Sequence, residues 1–232
     1  MENNINLSGV TRFSSIDFPG KLSAVLHFQG CPLKCVYCHS DHLQNRLSEG
    51  HLKWSEFVSF IEKRHKLLDA IVLSGGEPCS HHEINHVINK IKENEFEIGL
   101  HTSGVYPKKL EEIIDDIDWI GFDLKSTQLS MRKVTGFDIK FRHIEKSIDI
   151  LINSKTNYEI RTTWHPEILT DTDMISLAEF LATKNIKKWI IQPFWPGGSA
   201  PKIMSETMHS FSHHLLKSLT EIIPDVIVRK QS

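Results

Sequence analysis

The stretch AIVLSGGEP, residues 70–78, decides the fold class of this chain. Its first four residues are apolar, which is typical of a strand buried on both faces of a parallel sheet. Ser74, Gly75, Gly76 and Glu77 follow at the carboxyl end of that strand. Such residues at this position are typical of barrel enzymes, which keep their functional groups at the carboxyl ends of parallel strands.

The same arrangement recurs along the chain. Strands are predicted over residues 22–28, 70–73, 96–100, 119–122, 158–162 and 189–191. Polar residues stand at the ends of the later ones: His101-Thr102-Ser103, Asp123-Leu124-Lys125, Arg161-Thr162 and Gln192. An open doubly wound sheet gathers such residues at one switch point, whereas a barrel distributes them over successive strands. The pattern therefore favours a barrel.

Amphipathic helices alternate with these strands. Apolar residues recur at the spacing i, i+3, i+4, i+7, for example at Ile84, Val87, Ile88 and Ile91. Further helices are predicted around residues 54–61, 110–117, 144–152, 174–181 and 211–222. Six strand–helix units are too few to close a barrel of eight. We therefore predict an α/β fold, a partial (β/α)6 TIM-like barrel of parallel strands that is open on one side.

Size and composition limit the possible classes of protein. The chain has 232 residues, a formal net charge of −2 and 40% hydrophobic residues. The near-neutral charge removes the main electrostatic argument for binding nucleic acid or a membrane surface. No signal peptide or spanning segment is recognisable. We expect a cytoplasmic protein with one domain over residues 1–232, whose core covers 9–200 and whose C-terminal helix and extension cover 201–232.

Three of the four cysteines lie within eight residues, directly after the first predicted strand. Cys31, Cys35 and Cys38 can surround one face of a metal centre and leave a fourth position for another ligand. This is the arrangement that an iron–sulfur cluster needs when it must also bind a small molecule, because closed electron-transfer clusters take four cysteines. A tetrahedral zinc site with Cys79 as the fourth ligand is the alternative that this spacing leaves open.

These motifs resemble those of the radical S-adenosylmethionine (SAM) superfamily. The resemblance rests on the Cys-x3-Cys-x2-Cys spacing, with Tyr37 before the last cysteine, and on Gly75-Gly76-Glu77-Pro78 after the second predicted strand. The glycyl-radical-enzyme activases are similar at three further segments: the stretch before the first strand, the residue after the last cysteine, and Asp123-Leu124-Lys125. Asp17-Phe18-Pro19-Gly20 most resembles the activating proteins of anaerobic ribonucleoside-triphosphate reductase.

The resemblance implies roles for individual residues. Cys31, Cys35 and Cys38 would ligate three irons of a 4Fe–4S cluster and thereby carry the catalysis, while SAM chelates the fourth iron. The other implied contacts of the cofactor are Tyr37, His39, Gly75, Gly76, Glu77, Pro78, Thr102, Asp123, Lys125 and Arg161. Among them, the backbone around Gly75-Gly76-Glu77 would meet the SAM amino group, since glycine allows close approach.

The resemblance also implies an activity and partners. Reduction of the cluster by a low-potential donor such as flavodoxin or ferredoxin would cleave SAM to methionine and a 5′-deoxyadenosyl radical. That radical would abstract a hydrogen atom from a glycine of a partner glycyl-radical enzyme, with anaerobic ribonucleotide reductase as the first candidate. A monovalent cation is a further cofactor that the resemblance allows, although His101 stands where many activases have aspartate.

Other features of the sequence leave alternatives open. Ser40 and Trp195 also depart from the pattern of the activases, and residues 194–200 could form a short lid over the substrate. A radical SAM enzyme acting on a small molecule, similar to 7-carboxy-7-deazaguanine synthase, would share the compact barrel. A zinc-stapled binding domain without enzymatic activity is the second alternative.

Overall fold

The computed structural model describes residues 5–194 and 210–229, and its strands form one open eight-stranded sheet. The strands follow one another across the sheet in chain order: β1 (Leu7–Ser14), β2 (Ser23–Phe28), β3 (Ala70–Gly75), β4 (Glu97–Thr102), β5 (Trp119–Asp123), β6 (Asn157–Trp164), β7 (Lys188–Pro193) and β8 (Asp225–Val228). β1 pairs antiparallel to β2, and every later pair is parallel. The predicted sheet of parallel strands with an open side is therefore confirmed.

Helices connect the parallel strands. They are α1 (Trp54–Glu62), α2 (Ile84–Glu93), α3 (Pro107–Ile113), α4 (Met131–Thr135), α5 (Phe141–Asn153), α6 (Asp171–Thr183) and α7 (His213–Ile222). Their apolar stripes pack against one side of the sheet, which we call the helix-covered face. Trp189, Phe57 and Phe122 are fully buried there. Each such side chain contributes roughly 1.5–3 kcal/mol through its removal from water.

The opposite side of the sheet, which we call the inner face, is chemically different. Side chains alternate between the faces along each strand, so that Leu100 lies under the helices while His101, the next residue, lies on the inner face. The apolar part of the inner face is a small cluster of Phe18, Val25, Ala70, Val72 and Trp119. Polar and charged side chains of β4, β5 and β6 occupy the inner face beyond this cluster.

The Asp17-Phe18-Pro19-Gly20 segment closes part of the inner face. It lies between β1 and β2, and the ring of Phe18 packs 5.6 Å from the ring of Trp119. A Cβ atom on Gly99 would lie only 3.1 Å from Phe18. The glycine of β4 therefore makes room for the aromatic ring, and the family motif has a packing role in this chain.

Three elements were not predicted from the sequence. β1 is an edge strand whose central residues are half-buried or exposed, so it carries little hydrophobic signal. β8 has only four residues, two of them exposed, and α4 has five residues. Short or edge elements gain their stability from neighbours rather than from their own pattern. Among the residues that the structure describes, no helix has the length and hydrophobicity needed to cross a membrane.

Candidate active site

The cysteine loop follows β2 and is held in place by backbone hydrogen bonds from two sides. The amides of Lys34 and Val36 donate to the carbonyls of Thr135 and Val134, at 2.9 and 3.0 Å. On the other side, the amide of Gly30 donates to the carbonyl of Leu43 at 2.8 Å. The short helix α4, which the sequence did not reveal, therefore fixes the loop that carries the cysteines.

The thiols of Cys31, Cys35 and Cys38 are half-buried and line one cavity of about 220 Å³ at the carboxyl edge of the sheet. Burial raises the pKa of Cys31 to about 12 and that of Cys35 to about 11. Without a metal these two thiols are protonated at neutral pH, and a bound metal would favour their thiolate forms. The donor set is one that iron and sulfide accept.

Cys79 lies elsewhere. It is buried after β3 and lines a separate cavity with Val105 and Tyr106. Across residues 5–194 and 210–229, no three His, Cys, Asp or Glu side chains are arranged to hold a single metal ion. A 4Fe–4S cluster does not need such convergence, because each of its cysteines binds a different iron. Cys79 is not placed beside the other three as the zinc alternative requires.

Two glycines let the end of β3 pack directly on the end of β2. A Cβ on Gly75 would lie 2.6 Å from the amide nitrogen of Phe28, and one on Gly76 would lie 2.1 Å from the carbonyl oxygen of Gly30. The amides of Gly76 and Glu77 donate to the carbonyls of Phe28 and Gly30. An amino group is a donor, so the acceptors that this turn could offer it are backbone carbonyl oxygens.

The side chain of Glu77 has a structural role. It is 2% exposed and accepts hydrogen bonds from Thr102 Oγ1 at 2.8 Å, from the Ser103 amide at 2.8 Å and from the Cys79 amide at 3.1 Å. Because the hydroxyl proton of Thr102 goes to this carboxylate, the pair ties the end of β3 to the end of β4. Glu77 and Thr102 also line the cavity, and these bonds position the turn.

A row of charged groups crosses the inner face from β5 to β6. Asp123 forms ion pairs with Lys125, at 3.3 Å, and with Arg161, at 3.0 Å. Burial alone would raise the pKa of Asp123, but the charges of Arg161 and Lys125 outweigh burial and hold it well below its usual value. The pKa of Lys125 is likewise raised by Asp123 despite burial. Both groups are therefore charged at neutral pH, which suits recognition of a zwitterionic ligand.

Arg161, which the resemblance implies as a cofactor contact, is set back from the cavity. Its side chain is 9% exposed and does not line the cavity; neither does Pro78. Its Nη2 donates to the carbonyl of Gly121 at 3.3 Å, and its guanidinium lies 5.8 Å above the ring of Trp119. Arg161 therefore stands behind Asp123 and orients that carboxylate.

His101, which departs from the activase pattern, also lines this cavity. One ring nitrogen lies 3.3 Å from Ser74 Oγ, and the other lies 3.1 Å from the carbonyl oxygen of Asp17 and 3.4 Å from Arg161. Burial and the positive charge of Arg161 lower the pKa of His101 to about 4. At neutral pH this ring is therefore an uncharged link between the Asp17 loop and the charged row.

Tyr37 and His39 form an aromatic wall. Tyr37 is buried, the ammonium of Lys125 lies 5.8 Å above its ring, and no described residue hydrogen-bonds its hydroxyl. A buried hydroxyl without a partner costs free energy unless a ligand or water supplies one. The ring of His39 stacks on Phe194 with centroids 5.2 Å apart. Trp195 and the rest of the predicted lid lie outside the described residues.

The cavity also has lining residues that were not predicted to contact the cofactor. They are Leu33, Ser40, Leu43, Gln44, Ser74, His101, Ser103 and Thr163. Ser74, His101 and Ser103 belong to the polar residues at the strand ends that the sequence pattern indicates, but that rule gave them no role. Leu43 and Gln44 come from the loop after the cysteines, whose return path no local pattern predicts. A cavity holding three thiols, an unpartnered phenol and a fixed ion pair fits a cluster with a bound amino-acid ligand.

Comparisons with known proteins agree with this geometry. The chain matches the family model of the Radical SAM superfamily over residues 25–181. It is 30% identical over 203 residues to a Methanocaldococcus jannaschii protein whose name assigns it provisionally to the glycyl-radical enzyme activating enzymes, covering 82% of this chain and 80% of that protein. It is 27% identical over 205 residues to the pyruvate formate-lyase-activating enzyme of Staphylococcus epidermidis, with 82% and 80% covered.

A solved structure supports the fold. Streptococcus suis SuiB bound to S-adenosylmethionine matches with a TM-score of 0.60 and 14% sequence identity, covering 90% of this chain and 52% of that chain. The chain thus spans about half the length of SuiB, and the likeness concerns the fold alone. The family-model match and the 30% identity to the M. jannaschii protein carry the assignment. The chain is an enzyme that belongs to the radical SAM superfamily, and its family implies SAM and a 4Fe–4S cluster as cofactors.

Proposed function

We propose that the chain activates a glycyl-radical enzyme, with anaerobic ribonucleotide reductase as the first partner to test. The observation that carries the proposal is that the three thiols, Tyr37 and the Asp123–Lys125 pair line one cavity. The names of the relatives in M. jannaschii and S. epidermidis support activation of a protein as the reaction. The resemblance of Asp17-Phe18-Pro19-Gly20 to one branch of activases supports the choice of partner.

The cofactors supply the difficult chemistry, and the chain supplies binding and orientation. If bound here, the cluster and SAM would supply one-electron chemistry: an electron from the reduced cluster would allow cleavage of SAM to methionine and a 5′-deoxyadenosyl radical able to take a hydrogen atom from a glycine of the partner. The thiolates of the cysteine loop would hold the cluster, and the carbonyls of the Gly75-Gly76 turn would accept from the SAM amino group. Lys125, fixed by Asp123 at 3.3 Å, would pair with the carboxylate of SAM.

The inner face protects the reactive centre from water. Phe18 and Trp119 pack together behind the charged row and fill this part of the barrel. An open-sided sheet with six strand–helix units leaves space for a loop of another protein, and that loop would complete the exclusion of water and oxygen. We propose that the substrate is such a loop, with its glycine held close to the cavity.

The monovalent cation that the resemblance allows is a separate part of the proposal. Arg161 and Lys125 already balance the charge of Asp123, and His101 adds a neutral ring beside them. We propose that the activity does not require added potassium or sodium. Preparations in which potassium, sodium and other monovalent metal ions are replaced by a bulky organic ammonium should keep their rate of SAM cleavage.

The test is a reconstituted reaction without oxygen. Reduced enzyme, SAM and the inactive reductase should give a glycine-centred doublet in electron paramagnetic resonance and an equal amount of 5′-deoxyadenosine. A partner whose radical glycine is replaced by alanine should give neither the doublet nor coupled deoxyadenosine. Slow, uncoupled deoxyadenosine with every glycyl-radical partner, together with rapid turnover of a small heterocycle, would overturn the proposal.

Two lysine variants sharpen this test. Lys125→Met removes the ammonium inside the cavity, whereas Lys146→Met removes an exposed ammonium that pairs with Glu111 at 2.9 Å. A lost charge-assisted contact costs about 1.5–3 kcal/mol, or roughly 10- to 150-fold in affinity. We expect that loss in SAM affinity for Lys125→Met alone. Equal SAM affinities in the two variants would remove Lys125 from the proposed site.

A further inference from the structure

Two depressions meet outside the cysteine loop, and Pro32 lines both. One is a groove of about 760 Å³ between the start of α3 and the start of α5, with Val105 and Tyr106 in its wall. The other is a hollow of about 500 Å³ lined by Arg46, Leu47 and other residues of the cysteine-loop region. We call this combined surface the Pro32 face. It is distinct from the candidate active site, although Cys31 lines both the active-site cavity and the hollow.

The Pro32 face carries unbalanced positive charge. Lys108, Lys140 and Arg142 line the groove and are exposed, and none of them forms an ion pair within the described parts of the chain. The two acids of the groove are already neutralised, because Glu112 pairs with Lys109 and Asp138 pairs with Arg132. The whole chain has a net charge of −2, so this face is a local exception.

Apolar side chains lie among these charges. Leu47 is 95% exposed and Phe137 is 41% exposed, and both line the hollow next to Pro32. Large apolar side chains beside a charged rim are typical of protein–protein interfaces. The surface therefore suits a protein partner better than a small anion.

The cations of α5 do not serve the stability of that helix. Lys140 is its N-cap residue and Arg142 lies in its first turn, where the helix dipole favours negative charge. Positive groups at these positions oppose folding slightly. Their placement is explained if they meet negative charge on a partner.

We propose that the Pro32 face docks an acidic protein that carries single electrons, such as a flavodoxin or ferredoxin. The inference rests on the proposed function only in that the cluster needs an external electron. Pro32 follows Cys31 directly, so their Cα atoms lie about 3.8 Å apart. A carrier on this face sits one residue from a cluster ligand. It loses one electron and the cluster gains one, and no covalent bond changes.

The test compares two triple variants of the cluster-loaded protein. Lys108→Gln/Lys140→Gln/Arg142→Gln removes three charges from the Pro32 face. Lys63→Gln/Lys155→Gln/Lys217→Gln removes three exposed charges elsewhere, two of them near the amino ends of the strands. Affinity for a reduced acidic flavodoxin is measured by calorimetry, and reduction of the cluster is followed by stopped-flow absorbance, at low and high salt.

We expect the Pro32-face variant to lose about tenfold or more in affinity and reduction rate at low salt, and to lose most of its salt dependence. The control variant and the rate with dithionite, a small reductant, should be unchanged. Equal behaviour of both variants towards flavodoxin would overturn the proposal. So would a Pro32-face variant that fails to activate the glycyl-radical partner with dithionite, because the face would then bind the substrate protein.

The outcome of this docking test can be distinguished from the outcome of the test of the proposed function. If no glycyl-radical partner is ever activated, the flavodoxin affinity and reduction rate still decide the docking proposal. The melting temperature of the Pro32-face variant checks its fold, and we expect it to be unchanged or slightly higher, since one unfavourable charge leaves the N-cap of α5 and another leaves its first turn.

Discussion

Leu100 and His101 are neighbours on β4, yet they belong to two different environments. Leu100 is fully buried among the apolar residues of the helix-covered face. His101 contacts Ser74, Asp17 and Arg161, and each contact involves a particular atom. The same alternation on β5 places Phe122 under the helices and Asp123 in the charged row.

The difference shows how stability and chemistry are divided in this barrel. On the helix-covered face, apolar side chains of similar volume are the best-tolerated replacements, because the hydrophobic effect has no direction. On the inner face, the position of each charged group depends on its partners. Removing one partner leaves the other charge buried and unpaired. Substitutions on the two faces should therefore fail in different ways.

The cysteines give the largest contrast. Cys31→Ala removes a predicted ligand, so anaerobically reconstituted protein should lose its cluster, whereas the native chain should hold about four irons. Cys79→Ala alters a buried residue that lines the other cavity, and its iron content should equal that of the native chain. Iron analysis and the SAM-dependent change of the electron paramagnetic resonance signal measure both. Loss of the cluster in Cys79→Ala would contradict the assignment of three ligands.

Asp123 and Leu100 test whether binding and stability separate between the faces. Asp123→Asn removes the charge that holds Lys125 and Arg161, so SAM affinity should fall by about 10- to 150-fold with near-normal iron content. The matched variant Asp138→Asn, at an exposed pair with Arg132, should bind SAM normally. Equilibrium binding to the reconstituted proteins is the measurement.

Leu100→Ala completes the comparison from the other face. It should lower the free energy of unfolding by about 2–5 kcal/mol through the cavity that it leaves. SAM affinity of the folded protein should be unchanged. A large loss of SAM affinity in Leu100→Ala would show that the two faces are coupled through β4, and the proposed division would be wrong.

The sequence predicts the helix-covered face better than the inner face. Periodic residues such as Ile84 and Ile88 reveal their helix because burial depends on local spacing. The same holds for the six central strands, whose predicted positions agree with the structure within about two residues at each end. β1 and β8 were missed because edge strands bury too little to leave a pattern.

In the candidate site, the sequence predicted only those residues that stand next to the end of a predicted strand. Gly75 and Asp123 end their strands and Cys31 lies three residues after β2, so the parallel topology brings them to one edge. The placement of Arg161 behind Asp123 depends on the space left by Gly121 on the neighbouring strand, where a Cβ would lie 2.5 Å from the guanidinium carbon. Such a relation between distant residues has no signature in a single sequence.

His101 should make the stability of the inner face depend on pH. Its pKa is lowered from 6.5 to about 4 in the folded state. Between these values the unfolded chain binds a proton that the folded chain does not, so stability is full above about pH 6.5 and falls as the pH drops towards 4. The loss, discounted for partial exposure, is on the order of 2–3 kcal/mol.

Denaturant titrations across this pH range check the prediction. His101→Asn should flatten the dependence, while His82→Asn, at an exposed position, should leave it as in the native chain. A slope that survives in His101→Asn would assign the pH dependence to other histidines, such as His27, whose pKa burial also lowers.

The smallest expected effects distinguish two glycines of the inner face. Gly121→Ala places a methyl group 2.5 Å from the guanidinium carbon of Arg161, so the guanidinium must move away from Asp123. Gly99→Ala meets Val72 at 3.0 Å and Phe18 at 3.1 Å, contacts that a shift of a few tenths of an ångström relieves. Overpacking costs about 1–3 kcal/mol, and replacing glycine returns about 0.4–1 kcal/mol through the unfolded chain.

Gly99→Ala should therefore change stability by about 1 kcal/mol or less and leave SAM affinity intact. Gly121→Ala should weaken SAM binding several-fold, because only this methyl group disturbs the orientation of Asp123. If the two variants bound SAM equally well, Arg161 would have no positioning role, and the charged row would need only Lys125 to hold Asp123 in place.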